Sequence, residues 1–179
     1  MAASTSRGLF GGAITVTLPP DLIDASDLRQ VPDTQEVFLY PNSGISIIVE
    51  ILQSVKAEDL LDAARVHFDA LAYDNSSEKD EILQVEQLSQ DTSHQMPAPV
   101  VLSGTQAVPK FNSTAPDRIR VLLAVYRVQS HNLDLVMTMN VPTETHDGGA
   151  VNSADWANAQ DVFLVAARSL KIIDYGLFA

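Results

Sequence analysis

The chain has 179 residues, 46% of them apolar and none of them cysteine, and its 11 basic and 23 acidic side chains leave a net charge of −12. That is enough chain for one domain with one sizeable buried core, and too apolar for disorder. A disulfide framework, a cysteine-ligated zinc or iron–sulfur centre and thiol catalysis are excluded, and the acidity disfavours a grip on a phosphate backbone. No apolar run approaches the roughly 18 residues of a spanning helix. Met1–Arg7 lacks the apolar stretch of a signal peptide. The expectation is a soluble intracellular domain, with residues 1–8 a flexible N-terminus.

In chain order, Phe10–Leu18 alternates loosely and stops at Pro19-Pro20, which predicts a first strand. Asp21–Asp33 is a polar connection with a short helical turn near Ala25–Arg29, which Asp24 or Ser26 could cap. Gln35–Tyr40 and Ser46–Gln53 are β-rich and flank Pro41-Asn-Ser-Gly44, a hairpin signature. From Ala57 to Tyr73 the apolar residues Leu60, Leu61, Ala64, Phe68 and Leu71 recur at helical spacing, with Glu58 and Asp59 expected in the first turn. Ile82–Leu88 and Val100–Val108 read as strands, and the polar stretch Ser89–Pro99 between them as a surface loop. Arg118–Gln129 and Leu133–Val141, joined by Ser130-His-Asn132, form the clearest hairpin. Trp156, Ala159, Phe163, Ala166 and Leu170 mark one face of a second helix over 154–170, with Trp156 assigned to the core. Strands joined by short turns, with helices at two separated points, predict an α+β domain: a mainly antiparallel sheet flanked by α-helices.

Charge is unevenly spread. Residues 1–109 carry a net −11 and residues 110–179 only −1, the densest patch being Asp21, Asp24, Asp27, Asp33 and Glu36 with Arg29 among them. Such loops attract a basic protein surface, or simply keep the protein soluble.

Motifs for covalent chemistry are not found. His67, His94, His131 and His146 do not pair at helical or strand spacing, so no metal site is written locally, and His67 reads as a boundary residue of its helix. The chain lacks the G-x-S-x-G elbow and both glycine-rich phosphate motifs. Gly8-Leu-Phe-Gly11-Gly12 precedes a strand, where it cannot present helix N-terminal amides. Glu144-Thr-His-Asp-Gly-Gly149 puts a carboxylate beside a histidine, a pattern found in surface loops and in general-base sites.

One region is more specific. Leu9-Phe-Gly-Gly-Ala-Ile14, Ile23-Asp-Ala-Ser-Asp-Leu-Arg29, Val31-Pro-Asp-Thr-Gln-Glu-Val-Phe38 and Ser46-Ile-Ile-Val-Glu-Ile-Leu52 resemble, in order and spacing, the Ran guanine-nucleotide release factors. The likeness is tight over about the first 55 residues; the Trp156 helix and the closing Asp174-Tyr-Gly-Leu-Phe-Ala179 fit more loosely. The resemblance implies the PsbP-like α/β/α sandwich. It also implies binding to Ran, release of its GTP in support of nuclear import, action in nucleus and cytoplasm, and no cofactor. No nucleic acid or membrane partner is implied, and a monomer is the default.

It places Asp24, Asp27, Asp33, Glu36 and Glu50 on the Ran-facing surface, with Arg29 among them. The family has an acidic residue at the position of Glu50 and a second three residues on; here that second position is Gln53. Local duties compete with these roles: Asp24 as a cap, Asp33 as a turn former after Pro32, Arg29 as a brace for the acidic loop, Glu50 as a solvent-facing strand residue. Gly11 and Gly12 read as backbone geometry. Reversing charge at Glu36 and Glu50 is then expected to weaken binding without loss of thermal stability, whereas Trp156→Ala is expected to unfold the domain. Two other classes compete: a small-molecule-binding or hydrolytic domain using His146 and Asp147, and an extrinsic photosystem-type subunit on fold alone. Neither accounts for the D-A-S-D-L-R-x-V-P-D run.

Overall fold

The computed structural model describes residues 3–89, 96–111 and 113–179. His94 and most of the expected 89–99 loop lie outside the described residues.

Two sheets form the frame. The larger runs β3(Ile23–Asp24), β4(Gln35–Leu39), β5(Ser46–Gln53), β9(Leu133–Glu144), β8(Asp117–Val128), β7(Val100–Val108), β6(Lys79–Gln87) in spatial order, all neighbours antiparallel. The smaller joins β1(Thr5–Leu9), β2(Ile14–Leu18) and β10(Lys171–Ile172). Helix α1(Leu60–Asp74) packs on β6, β7 and β8, while α2(Ser153–Ser169) packs on β2 and, from the opposite side of the large sheet, on β8 and β9. The α+β class predicted from the sequence is the class observed.

The period-2 pattern of the central strands sorts the core into two compartments. Leu122, Ala124, Tyr126, Leu135, Met137 and Met139 point toward α2 and the small sheet, where they meet Ile14, Val16, Leu18 and Phe163. Val121, Leu123, Val125 and Val136 point the other way and meet Ala64 and Phe68 of α1. Each such fully buried Val, Leu or Phe contributes roughly 1.5–3 kcal/mol of transfer free energy.

Both helices start where a side chain accepts an otherwise orphaned amide. Asp59 Oδ1 accepts from Asp62 N–H at 2.8 Å, so α1 begins at Leu60 and Glu58 lies outside its first turn. Asn152 Oδ1 does the same for Asp155 N–H, at 2.8 Å.

Three expectations are corrected. Residues 5–8 are not a loose N-terminus: Thr5–Leu9 pairs with β2 around a tight turn, anchored by fully buried Leu9 and by Arg7, whose guanidinium lies 4.9 Å above the Phe38 ring. The first strand of 10–18 is therefore split, with a 3-10 turn at Phe10–Gly12 before β2. Trp156 is half-buried at the rim of the core, its ring covered by the Arg120 guanidinium of β8 at 4.8 Å rather than enclosed by apolar side chains alone.

Candidate functional site

The predicted partner-facing residues gather at the β3–β4–β5 end of the large sheet. β3 pairs only with Phe38 and Leu39, so among the described residues the Gln35–Val37 half of β4 has no strand partner on that side, and the 3-10 turn at Ala25–Asp27 packs against β4 instead. Register places Gln35 opposite Glu50 and Glu36 opposite Val49. Val49 and Phe38 belong to the α2-side core, so Glu36 leaves β4 on that side. Glu50 alternates with them and leaves β5 on the α1 side, in line with Ile48 and Leu52. Gln53, three residues on, falls on the Glu36 side. The acidic residues thus straddle the sheet edge and do not share one face.

Their local duties differ. Glu36 Oε1 accepts from Phe10 N–H at 2.6 Å. Phe10 has φ +51° and is followed by Gly11 at +68° and Gly12 at +92°, so this carboxylate fastens a left-handed turn between β1 and β2 to β4. The charge reversal expected to spare stability would break that bond, so for Glu36 the expectation is revised. Glu50 is half-buried, takes one hydrogen bond from Gln35 Nε2 at 3.0 Å and stands across from Val136 of β9. Among the described residues no cation pairs with it. α1 makes its main contacts with β6–β8, and Glu50 keeps part of its surface exposed on this face.

The 25–34 loop extends this end. Asp24 caps the 3-10 turn at Ala25–Asp27, its Oδ1 accepting from Ser26 N–H at 2.9 Å and from Ser26 Oγ at 2.6 Å. Gln35 N–H donates to Pro32 O at 2.9 Å, closing a turn with Asp33 inside it. Asp27, Arg29 and Asp33 are exposed, and beside them Leu28 is 68% exposed.

The sequence reading missed a buried polar network behind β5. His67 is buried, and its Nε2 lies 2.7 Å from Asp134 Oδ2. Arg127 donates through Nε to Asp134 Oδ1 at 2.9 Å and through Nη2 to Oδ2 at 3.1 Å. Ser54 Oγ and Val55 N–H also donate to this carboxylate, each at 3.2 Å, and Arg127 Nη2 donates to Val55 O at 2.9 Å. Burial pushes the Asp134 carboxyl up, but the hydrogen bonds from His67, Arg127 and Val55 and the Arg127 charge hold it well below the usual carboxylate range. The network pins the chain just beyond Gln53. Arg127 and Asp134 face each other across the β8–β9 hairpin, a signal that could have been read; His67 arrives only through tertiary packing.

The competing candidate, His146 with Asp147, is not assembled as a base. Asp147 pairs instead with Lys110, Nζ to Oδ2 3.0 Å, which lowers the carboxyl and, together with Asp117, raises the ammonium. A cavity of about 630 Å³ opens beside Asp147, and His146 is not among the residues lining it. Among the described residues no group of three or more acidic or histidine side chains could hold a metal ion, and no helix is long and apolar enough to cross a membrane.

Residues 7–142 match the family model described as Ran-interacting Mog1 protein. The chain is 34% identical to the Ran guanine nucleotide release factor of Danio rerio over 97% of its own length and 99% of the relative's. It is 31% identical to the nuclear import protein MOG1 of Saccharomyces cerevisiae, over 96% and 83% of the two chains. The crystal structure of the S. cerevisiae Ran-binding protein Mog1p superposes with a TM-score of 0.77 at 26% identity, covering all of both chains. By its sequence along nearly its whole length, this chain belongs to the Mog1 family of Ran-interacting proteins.

Proposed function

We propose that this protein binds the GTPase Ran and promotes release of its bound guanine nucleotide, acting without covalent chemistry in support of nuclear import. Ran meets the β4–β5 end of the large sheet. The observation that carries the reading is Glu50: a half-buried carboxylate without a cationic partner among the described residues, at the β4–β5 end of the sheet, in a chain whose relatives are named for this activity. Exposed Asp27, Leu28, Arg29 and Asp33 extend the surface around the edge, with Gln53 at its far end. Glu36 and Asp24 shape it from within through their bonds to Phe10 and Ser26.

Release needs only differential binding. A factor that holds nucleotide-free Ran more tightly than loaded Ran weakens the nucleotide by the same factor, and about 1.4 kcal/mol of coupling is worth tenfold. Acidic side chains supply that difference by pairing with basic groups that otherwise hold phosphate, or by disturbing the magnesium environment. The protein acts as a monomer in nucleus and cytoplasm.

The test is release of a fluorescent GTP analogue from purified Ran at increasing concentrations of the chain. Concentration-dependent acceleration is expected, with Glu50→Lys abolishing most of it. No acceleration, together with no complex on a sizing column, overturns the reading.

A further inference from the structure

The two flanks of β5 do not lose their support at the same residue. On the β4 side, the last bond between backbones among the described residues is Ile51 N–H donating to Thr34 O at 3.0 Å. On the β9 side the ladder runs on to Gln53 opposite Leu133, and Ser54 N–H then donates to Asn132 O at 3.1 Å. Residues 52–55 are therefore held from one side. Gln53, exposed at the far end of the Ran-facing surface, takes its direction from this half-supported backbone.

Where the backbone ladder stops, side chains continue it. Val55 N–H donates to Asp134 Oδ2 at 3.2 Å, and Val55 O accepts from Arg127 Nη2 at 2.9 Å. One ion pair thus holds both polar backbone atoms of a residue, as a neighbouring strand would. The pair is fixed in turn: Arg127 and Asp134 stand opposite each other in the β8–β9 register, and His67 ties the carboxylate to α1. A buried ion pair stabilises little beyond what apolar side chains of the same volume would, because desolvation offsets most of its attraction. What it adds here is geometry. Five hydrogen bonds converge on the Asp134 carboxylate from three elements and the 54–55 backbone, and only one setting of that backbone satisfies them all.

We propose that Arg127 and Asp134 are positioning residues for Ran binding: they fix the end of β5, and with it the direction in which Gln53 leaves the strand. They act through Gln53 and not by contact with Ran. Glu50 does not depend on them, since Gln35 of β4 and Val136 of β9 flank it on both sides. The inference rests on the Ran reading above and deepens it by dividing the surface into two independently set ends. The network sets the Gln53 end, and the 25–34 loop sets the Asp27 end.

The experiment is a pair of double-mutant cycles read as affinity for purified Ran by calorimetric titration, at a temperature where circular dichroism shows every variant folded. Arg127→Lys keeps the charge but loses the fork that joins Asp134 to Val55. It is expected to weaken Ran binding about fivefold, and Gln53→Ala by about the same factor. Combined, the two are expected to weaken binding little more than either alone, because an amide that is absent cannot be misdirected. Combined with Asp27→Ala, at the other end of the surface, the effects of Arg127→Lys are expected to multiply. A network that serves stability alone gives wild-type affinity in the folded Arg127→Lys chain, and that result overturns the proposal. So does wild-type binding by Gln53→Ala, or factors that multiply in the Gln53 cycle as in the Asp27 cycle. If Arg127→Lys does not fold, Ser54→Ala, which removes a single bond to Asp134, replaces it in both cycles with an expected factor of about two. A wild-type chain that does not bind Ran overturns the Ran reading itself, whereas a chain that binds but gives multiplying factors overturns only the role of the network.

Discussion

Toward α2, the large sheet turns a continuous set of apolar side chains, Leu122 to Met139, onto Phe163 and the small sheet. Toward α1, it sets polar groups beside the apolar ones: Asp134 lies buried beneath the helix against His67, while Glu50 stays half-buried on the same face. Burial of hydrocarbon is non-directional and tolerant of repacking, so the first face supplies stability in bulk. Carboxylates in the second must each find donors in fixed places, and where only one neutral donor is in place, as Gln35 is for Glu50, a partner can supply more. The second face is thus divided into a structural part and a working part.

The sharpest way to test this division is Phe163→Ala, expected to cost about 3–5 kcal/mol in urea denaturation. Any folded fraction should release nucleotide from Ran normally. A loss below about 1 kcal/mol would mean that the α2 face is not the main source of stability.

Asp134→Asn strikes the polar network on the other face and leaves Arg127 and His67 without their carboxylate. A cost of about 2–4 kcal/mol is expected, below the full value for a buried pair because Arg127 is partly exposed. The folded-state pKa of Asp134 is depressed, so its stabilisation is complete above the unfolded value of roughly 4 and is lost as pH falls from there toward the folded value. Wild-type unfolding should therefore steepen with acid below about pH 4, and the Asn variant should show a shallower slope there. Equal slopes would remove the network from the acid response.

Glu36→Gln keeps an acceptor for the Phe10 amide but gives up its charge, and a cost of about 1 kcal/mol is expected in thermal melts. Glu36→Lys should cost more, by loosening the β1–β2 turn. Glu50→Lys is the converse case: stability within about 0.5 kcal/mol of wild type, but at least tenfold weaker Ran binding in a pull-down or calorimetric titration. If Glu36→Lys melts like wild type, or Glu50→Lys binds like it, the assignment of one to shape and the other to contact fails.

The long, regularly patterned elements were legible in the sequence: the β8–β9 hairpin, both helices and the α+β class follow from apolar spacing alone. β1 was not, since Thr5-Ser-Arg-Gly reads as a polar tail and becomes a strand only when β2 and Arg7's perch on Phe38 hold it. In β6, a bulge at Leu83 turns Ile82 and Val85 to the same side, which a strict two-residue alternation forbids. The acidic cluster was legible as composition and as a family resemblance. Its division across the sheet edge depends on strand register, and Glu36's bond to Phe10 spans 26 residues, beyond the reach of local pattern.

The small sheet has a consequence for how the chain is made. β2 is completed by β10, and Thr17 N–H donates to Ser169 Oγ across a separation of 152 residues. During synthesis the β1–β2 hairpin leaves the ribosome early, yet Ile14, Val16 and Leu18 keep an open apolar side until α2 and β10 follow. Contacts this distant in sequence form late and slowly, and such a surface is prone to aggregate while it waits. Nascent chains stalled before residue 171 should therefore bind hydrophobic-surface chaperones, and chains released with β10 in place should not.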